Sequence, residues 1–338
     1  MRMEDFWYVV AESRELGVRD VLGRQVLGEW LVVFRDGQGR PAVFRDRCQH
    51  RASRLSLGRV CDGKLQCPYH GWTYAGDGQV VAVPAEGPDH RPLASRRALV
   101  YEAAEADGYV YVRLASGTDS VPFPMPHWQA SGWGHVRLQN RFQNTVTNCV
   151  ENFVDVPHTV FVHPGIFRTS RAQTIDATVR REGGTVVVEY QNETDNLGWF
   201  AWFLNPSRRP IVHVDRFLMP NITNVEYRFG PRRVFFITSQ SVPVTDTETL
   251  VYTDLTFDYG MWTSLAGPIV RYQGQAVIDQ DIRALNQQMQ VIDRYGGEFA
   301  NTAVDVIHVF IESIRDELAR GGDPRALPTK QVDVRFQV

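Results

Sequence analysis

Cys48-Gln-His50 and Cys67-Pro-Tyr-His70 are two thiol–imidazole pairs separated by sixteen residues. Two thiolates and two imidazoles suit a [2Fe–2S] cluster whose irons are ligated differently, the thiolates on one and the imidazoles on the other. That ligation raises the reduction potential above that of an all-thiolate cluster. The same four side chains could hold zinc in a tetrahedron. Zinc sites usually begin with a Cys pair and end with a His pair, whereas here each segment offers one ligand of each kind. Gly71 and Trp72, directly after His70, add a tight turn and an aromatic cover. The pattern therefore favours a redox cluster over a structural metal.

A second constellation, Glu151-Asn-Phe-Val-Asp155-Val-Pro-His158 and then His163, puts two imidazoles near carboxylates. Two His and one carboxylate on one face of Fe(II) leave positions open for oxygen chemistry. On an ideal helix an offset of five residues separates side chains by about 140°, so His158 and His163 would not share a face. Pro157 and Pro164 disturb helix at or before their positions. The expected geometry is a helix carrying Asp155, distorted near His158, with His163 just beyond it. A pair of surface histidines is the competing reading. The third ligand must come from farther along. Ile278, Ile282, Leu285, Met289 and Ile292 form a helical stripe. At about 100° per residue, Asp281 lies closer to that stripe than Asp279 does. Asp281 is the better third ligand, with Asp254, Asp258 and Asp293 weaker.

The elements that must position these residues divide in two. From Phe6 to about Leu114, short apolar runs such as Trp30–Phe34, Ala42–Phe44, Val80–Val83 and Tyr109–Arg113 alternate with Gly/Asp turns, the mark of an all-β unit. Both Cys-His segments fall inside it, as loops on a rigid scaffold. Val121-Pro-Phe-Pro-Met-Pro126 reads as a linker. Strands follow at Thr185–Tyr190, Asn224–Phe229, Val234–Ser239 and Thr249–Phe257. The Ile278 helix comes next, then a second stripe at Val304, Ile307, Ile311, Ile314 and Leu318. The whole is α+β, with a domain at 1–118 and another at 119–338. With 338 residues there is enough chain for two cores. A net charge of −3 argues against nucleic acid or an anionic membrane as partner. No apolar stretch is long enough to span a bilayer, and Met1–Glu4 leads into no signal-peptide core, so a cytoplasmic protein is expected. Cys61 and Cys149 are expected to be free, buried thiols.

The chain resembles the oxygenase component of Rieske non-haem iron oxygenases over nearly its whole length. Cys48, His50, Cys67 and His70 match the family's cluster motif; Glu151, Asp155, His158 and His163 match its iron motif; Asp281 matches its late aspartate. Length and pattern look closest to the branch of vanillate O-demethylase, dicamba monooxygenase and the chlorophyllide and pheophorbide oxygenases. Gln49 departs from it, since many relatives carry Pro there. The resemblance implies an all-β Rieske [2Fe–2S] domain followed by a helix-grip catalytic domain with an antiparallel sheet and a mononuclear Fe(II). It further implies a head-to-tail homotrimer, in which Asp155 bridges His158 to His70 of a neighbour.

Electrons would come from NAD(P)H through a separate ferredoxin and/or flavin reductase, because no Gly-x-Gly-x-x-Gly lies between a strand and a helix. O2 and a hydrophobic or aromatic small molecule would be the substrates, with hydroxylation, oxidative demethylation and ring cis-dihydroxylation all open. Trp199–Phe203, Phe235-Phe236 and Tyr259–Trp262 are candidates to line an apolar pocket, and Arg208-Arg209 and Arg232-Arg233 to steer an acidic substrate. The rival classes are a Rieske electron-transfer protein and a hydrophobic-ligand carrier.

Overall fold

A computed structural model describes residues 1–88, 92–115, 120–164, 174–191, 193, 211–230 and 233–337. The chain forms two compact units, Met3–Pro124 and Met125–Val338 with Met1–Arg2. The expected boundary after residue 118 falls among residues 116–119, outside the described set. The units part inside the proline-rich segment.

The first unit is all β. Its strands are β1 (Tyr8–Glu12), β2 (Val21–Val26), β3 (Glu29–Arg35), β4 (Pro41–Arg45), β5 (Arg59–Cys61), β6 (Lys64–Gln66), β7 (Thr73–Tyr74), β8 (Val80–Ala82), β9 (Val100–Ala106) and β10 (Tyr109–Arg113). One sheet runs β1-β10-β9-β4-β3-β2 and a smaller one β5-β6-β7-β8. Val32, Phe34, Phe44, Leu55, Leu65 and Tyr74 fill a core that also buries Cys48 and Cys67. Close backbone approach holds the small sheet: a Cβ on Gly58 would sit 2.1 Å from the Gln66 carbonyl oxygen, so only glycine fits where the β5–β6 hairpin begins. Cys61, expected to be buried, is only half-buried near the hairpin tip, whereas Cys149 is fully buried.

In the second unit β11 (Gly134–Phe142) leads to two short helices, α1 (Val146–Asn152) and α2 (Thr159–Val162). Strands β12 (Thr174–Glu182), β13 (Thr185–Gln191), β14 (Ile211–Leu218), β15 (Ile222–Phe229), β16 (Val234–Thr245) and β17 (Glu248–Asp258) follow. Then come α3 (Thr263–Tyr295), α4 (Val306–Ala319) and β18 (Lys330–Gln337). The sheet order is β11-β17-β16-β15-β14-β13-β12-β18, antiparallel throughout. Alternate residues face inward, where Val136, Leu138, Val251, Leu255 and Phe257 pack on Val270, Ile278 and Leu285 of α3. Each such side chain contributes about 2 kcal/mol when buried. Gly274 lets the helix approach closely, since a Cβ there would lie 2.5 Å from Leu255 Cδ1.

Helix α3 begins fifteen residues before Ile278, where the periodicity starts. In that first half Leu265, Ile269 and Tyr272 are exposed while Val270 is buried. Apolar residues on both faces, with Pro268 among them, give no single stripe to read. No helix among the described residues is long and apolar enough to cross a membrane.

Candidate functional site

The two Cys-His loops share one backbone design. In the first, Cys48 N–H donates to Ser53 O (2.8 Å) and Ala52 N–H to Cys48 O (3.0 Å). In the second, Cys67 N–H donates to Trp72 O (2.9 Å) and Gly71 N–H to Cys67 O (3.2 Å). The fourth residue after each Cys is left-handed, Ala52 at φ 54° and Gly71 at φ 71°. Each loop thus curls back on its cysteine. The result buries both thiols, 1% and 2% exposed, and leaves His70 exposed and His50 half-buried. The two imidazoles face each other with centroids 4.5 Å apart. His50 stacks on Trp72 at 4.9 Å. Cys48 Sγ lies 3.1 Å from the buried Tyr74 hydroxyl, which accepts a 3.0 Å bond from Gln49 N–H. Burial and the neighbouring Cys48 raise the Tyr74 pKa, so its hydroxyl keeps its proton. His50 Nδ1 is buried without a hydrogen-bond partner. An orphaned imidazole nitrogen beside buried thiols fits a metal–thiolate cluster.

The second site is built around a break in the chain. Helix α1 stops at Asn152, and Asp155 is not helical. The expected helix through Asp155 is therefore corrected. Pro157 disfavours helical backbone at Val156 and has no N–H to give, so the chain leaves α1 before Asp155 rather than bending near His158. The short α2 then starts after His158 and ends before His163, turning both rings toward α3. Their outer nitrogens are tied down. His163 Nδ1 lies 2.8 Å from Gln280 Oε1, and His158 Nδ1 contacts the Asp155 carbonyl and sits 3.4 Å from Asp155 Oδ2. Both Nε2 atoms converge on Asp281 Oδ1, at 3.0 Å from His163 and 3.5 Å from His158. That oxygen is buried and receives no hydrogen bond of good geometry. The three ligand atoms lie within 4.8 Å of one another. Two imidazoles oriented by outer partners, with a bare carboxylate oxygen between them, fit a divalent metal. Burial pushes the Asp281 carboxyl up, but the two imidazoles more than offset this and hold it below the usual carboxylate range. Burial lowers His158, and Asp155 and Asp281 carry it up to about 9; a metal on Nε2 would displace that proton.

The other acidic candidates lie elsewhere. Asp254 pairs with Arg137 at 2.7 Å, Asp258 caps Gly260, Asp279 accepts from Gln275 and Asp293 is exposed. Glu151 turns to α4, where its Oε2 is 2.5 Å from His308 Nδ1 while Glu312 faces the other nitrogen at 3.3 Å. Opposite nitrogens of one ring on different carboxylates make an ion-pair bridge, not a one-sided ligand set.

A cavity of about 200 Å³ opens beside His158, His163 and Asp281. The register of the sheet grades its wall. Thr223, Ser239 and Thr253 align across β15, β16 and β17; Asp215, Val225, Ile237 and Leu255 form the next inward row; Tyr227 and Phe235 the one after, where His213 stands beside Tyr227 without lining the cavity. Phe235 and Tyr259 line the cavity, whereas Phe236 packs beside Trp133 and His127, and Met261 and Trp262 are exposed. Trp199–Phe203, Arg208-Arg209 and Arg232 lie outside the described residues; the Arg233 carbonyl accepts from Phe229 N–H. Sequence reading missed two groups: Gln280, and a buried unit in which His213 Nδ1 meets Glu193 Oε2 (2.7 Å) and Nε2 meets Asp215 Oδ1 (2.9 Å). Gln280 carried a signal, as the neighbour of Asp281. His213 had only Asp215, two residues on in β14, to mark it, because Glu193 comes from beyond the end of β13.

Residues 6–101 match the Rieske [2Fe–2S] domain, and residues 143–320, more than half the chain, match the vanillate O-demethylase oxygenase C-terminal domain. Methylxanthine N1-demethylase NdmA of Pseudomonas putida is 31% identical over 204 residues, 57% of this chain and 57% of that protein. The vanillate O-demethylase oxygenase subunit of a Pseudomonas species is 30% identical over 190 residues, 54% of this chain and 51% of that protein. Chlorophyllide a oxygenase of Chlamydomonas reinhardtii is 31% identical over 166 residues, 49% of this chain. Here the chain spans 25% to 57% of the length of these curated relatives. Dicamba monooxygenase bound to 3,6-dichlorosalicylic acid has a similar fold, with TM-score 0.80 and 22% identity over 94% of this chain and 98% of that one. Pseudomonas putida NdmA with caffeine gives TM-score 0.79 and 22% identity over 95% and 93%.

Proposed function

The chain belongs to the Rieske oxygenase components whose C-terminal half is of the vanillate O-demethylase type, and on that premise we propose that it is a terminal oxygenase. It uses O2 and electrons from NAD(P)H, delivered by a separate ferredoxin and/or flavin reductase, to hydroxylate or oxidatively demethylate a hydrophobic or aromatic small molecule. The observation that carries this reading is the convergence of His158 and His163 Nε2 on the buried Asp281 Oδ1 at a largely apolar cavity.

In this reading Cys48, His50, Cys67 and His70 hold the [2Fe–2S] cluster in a domain at 1–118. His158, His163 and Asp281 hold a mononuclear Fe(II) in a domain at 119–338. When bound, the cluster passes single electrons and the iron binds and activates O2. The protein does the rest. Gln280 and Asp155 fix the two ring orientations, Asp281 supplies the negative charge, and the apolar wall keeps water from the reacting carbon. Asp155, 46% exposed on its side chain, is free to reach a neighbour's His70 in a head-to-tail homotrimer. The protein works in the cytoplasm.

The test is anaerobic iron and sulfide analysis with EPR after dithionite reduction. About three irons and two sulfides per chain, with a Rieske-type signal, are expected. Two irons would make it an electron carrier, and no iron, or zinc alone, a ligand carrier or structural protein.

Two further outcomes are expected. Tyr74→Phe removes the hydroxyl at Cys48 Sγ, and hydrogen bonds to cluster sulfurs raise the potential. The variant's midpoint potential should fall in spectroelectrochemistry; an unchanged potential would mean Tyr74 only fills the core. Asp155→Ala should keep both metals but slow reoxidation of the reduced cluster by substrate and O2 about 10- to 100-fold. Normal reoxidation in stopped flow would count against the bridge.

A further inference from the structure

We propose that Asp215 is the specificity-determining residue of the cavity, and that it selects a flat apolar molecule presenting a hydrogen-bond donor (an amide N–H, a ring N–H or an ammonium) over one presenting a carboxylate. This deepens the oxygenase reading and rests on it only for the chemistry, since the cavity wall is protein alone.

Asp215 is 1% exposed yet belongs to the cavity wall. In the three inward rows of β14 to β17, it is the sole carboxylate: Asp215, Val225, Ile237 and Leu255 lie side by side, with hydroxyls in the row on one side and aromatic rings in the row on the other. A charged group in that position would not persist unless held. Its Oδ1 takes His213 Nε2 at 2.9 Å and its Oδ2 takes the Tyr190 hydroxyl at 3.0 Å. His213 is clamped between the rings of Tyr190 and Tyr227, with centroids 4.2 Å and 4.1 Å away, both nearly parallel. Its other nitrogen faces Glu193. Burial lowers the His213 pKa, and Asp215 and Glu193 raise it to about 9, so the ring is an imidazolium at neutral pH and donates from both nitrogens.

The carboxylate is therefore charged, oriented and unable to turn away. An ionised carboxylate only accepts, at about four lone-pair sites, and two are used by His213 and Tyr190. The remaining capacity serves a donor. A donor from the ligand makes a charge-assisted bond to an acceptor already in place, with no reorganisation to oppose it. A ligand carboxylate brings like charge to a site with little water to screen it. The aromatic row on one side accepts a flat body, and the hydroxyls of Thr223, Ser239 and Thr253 tolerate a polar rim.

The alternative is that the Tyr190–Asp215–His213–Glu193 unit only ties strands together. One probe series separates the two. 4-Methoxybenzylamine, 4-methoxybenzamide, methyl 4-methoxybenzoate and 4-methoxybenzoate share ring and methoxy group and differ at the far end as cation, neutral donor, neutral non-donor and anion. Dissociation constants are measured by calorimetry on the protein as purified. Amine and amide should bind roughly ten- to a hundred-fold more tightly than ester and benzoate, the range of a hydrogen bond to a charged group. Asp215→Asn should erase most of that gap. Tyr190→Phe keeps the ring over His213 but frees Oδ2, and should widen the amide-to-ester ratio; it serves if the aspartate variant does not fold. Benzoate binding as tightly as the amide, no binding of amine or amide at millimolar concentration, or ratios unchanged in a folded variant would each overturn the proposal. Iron and sulfide are assayed on the same samples. Full metal content without selectivity sinks only Asp215, while missing metal sinks the oxygenase and leaves the binding comparison intact.

Discussion

Asp281→Ala is expected to lose the mononuclear iron while keeping the cluster's visible absorption. Iron should fall from about three to two per chain with two sulfides retained, and substrate turnover should vanish. The geometry sets the size of the effect. Asp281 Oδ1 is reached by both Nε2 atoms, at 3.0 Å from His163 and 3.5 Å from His158, whereas Asp155 meets the opposite nitrogen of His158 at 3.4 Å. Loss of a direct ligand should exceed the roughly 10- to 100-fold that outer partners contribute to metal affinity. Because Asp281 is one of the residues that raise His158, the variant's His158 should also titrate lower. Metal analysis and NMR of the apo-protein check both points. Full iron content with full turnover would move the ligand elsewhere, first to Asp155 beside His158.

His50→Ala should bleach the visible spectrum and abolish the Rieske EPR signal. The residue offers a buried, unpartnered Nδ1 and a ring stacked on Trp72, so it is held where no solvent ligand can replace it easily. The mononuclear iron, carried by the other unit, should remain, giving about one iron per chain and little sulfide. The fold of the first unit should survive, because Leu55, Leu65 and Tyr74 pack without help from the imidazole. Circular dichroism checks the fold and iron analysis the count. An unchanged spectrum would remove His50 from the cluster and reopen the zinc reading of the four side chains.

How much of this was legible depended on distance along the chain. The cluster motif is local: Cys48 with His50, and Cys67 with His70, lie within one turn of loop, so spacing alone announces them. Asp281 could be chosen over Asp279 because a helix converts spacing into direction, and the structure turns Asp281 inward and Asp279 outward. The same argument failed for α3's first half, where apolar residues face both core and solvent and no period survives. It also misplaced the end of α1, since a proline names the disturbance but not the residue at which the chain leaves the helix.

The sequence by itself determined which thiols, imidazoles and carboxylates stand at ligand-like spacing, that they fall into two sets, and that strands precede the long helix. Only the tertiary structure decided that His158 and His163 converge on one oxygen, that Gln280 holds one of the rings, and that Glu151 serves α4 instead of the metal group. It alone decided that His213 and Tyr190, drawn from two strands, hold Asp215 in place at the cavity wall. The physical reason is that ligand chemistry is a property of residue type and short spacing. Convergence depends on strand register and on where one helix lies against the sheet: a one-residue slip of a strand sends its side chains to the opposite face, and one of the helix turns them by about 100°.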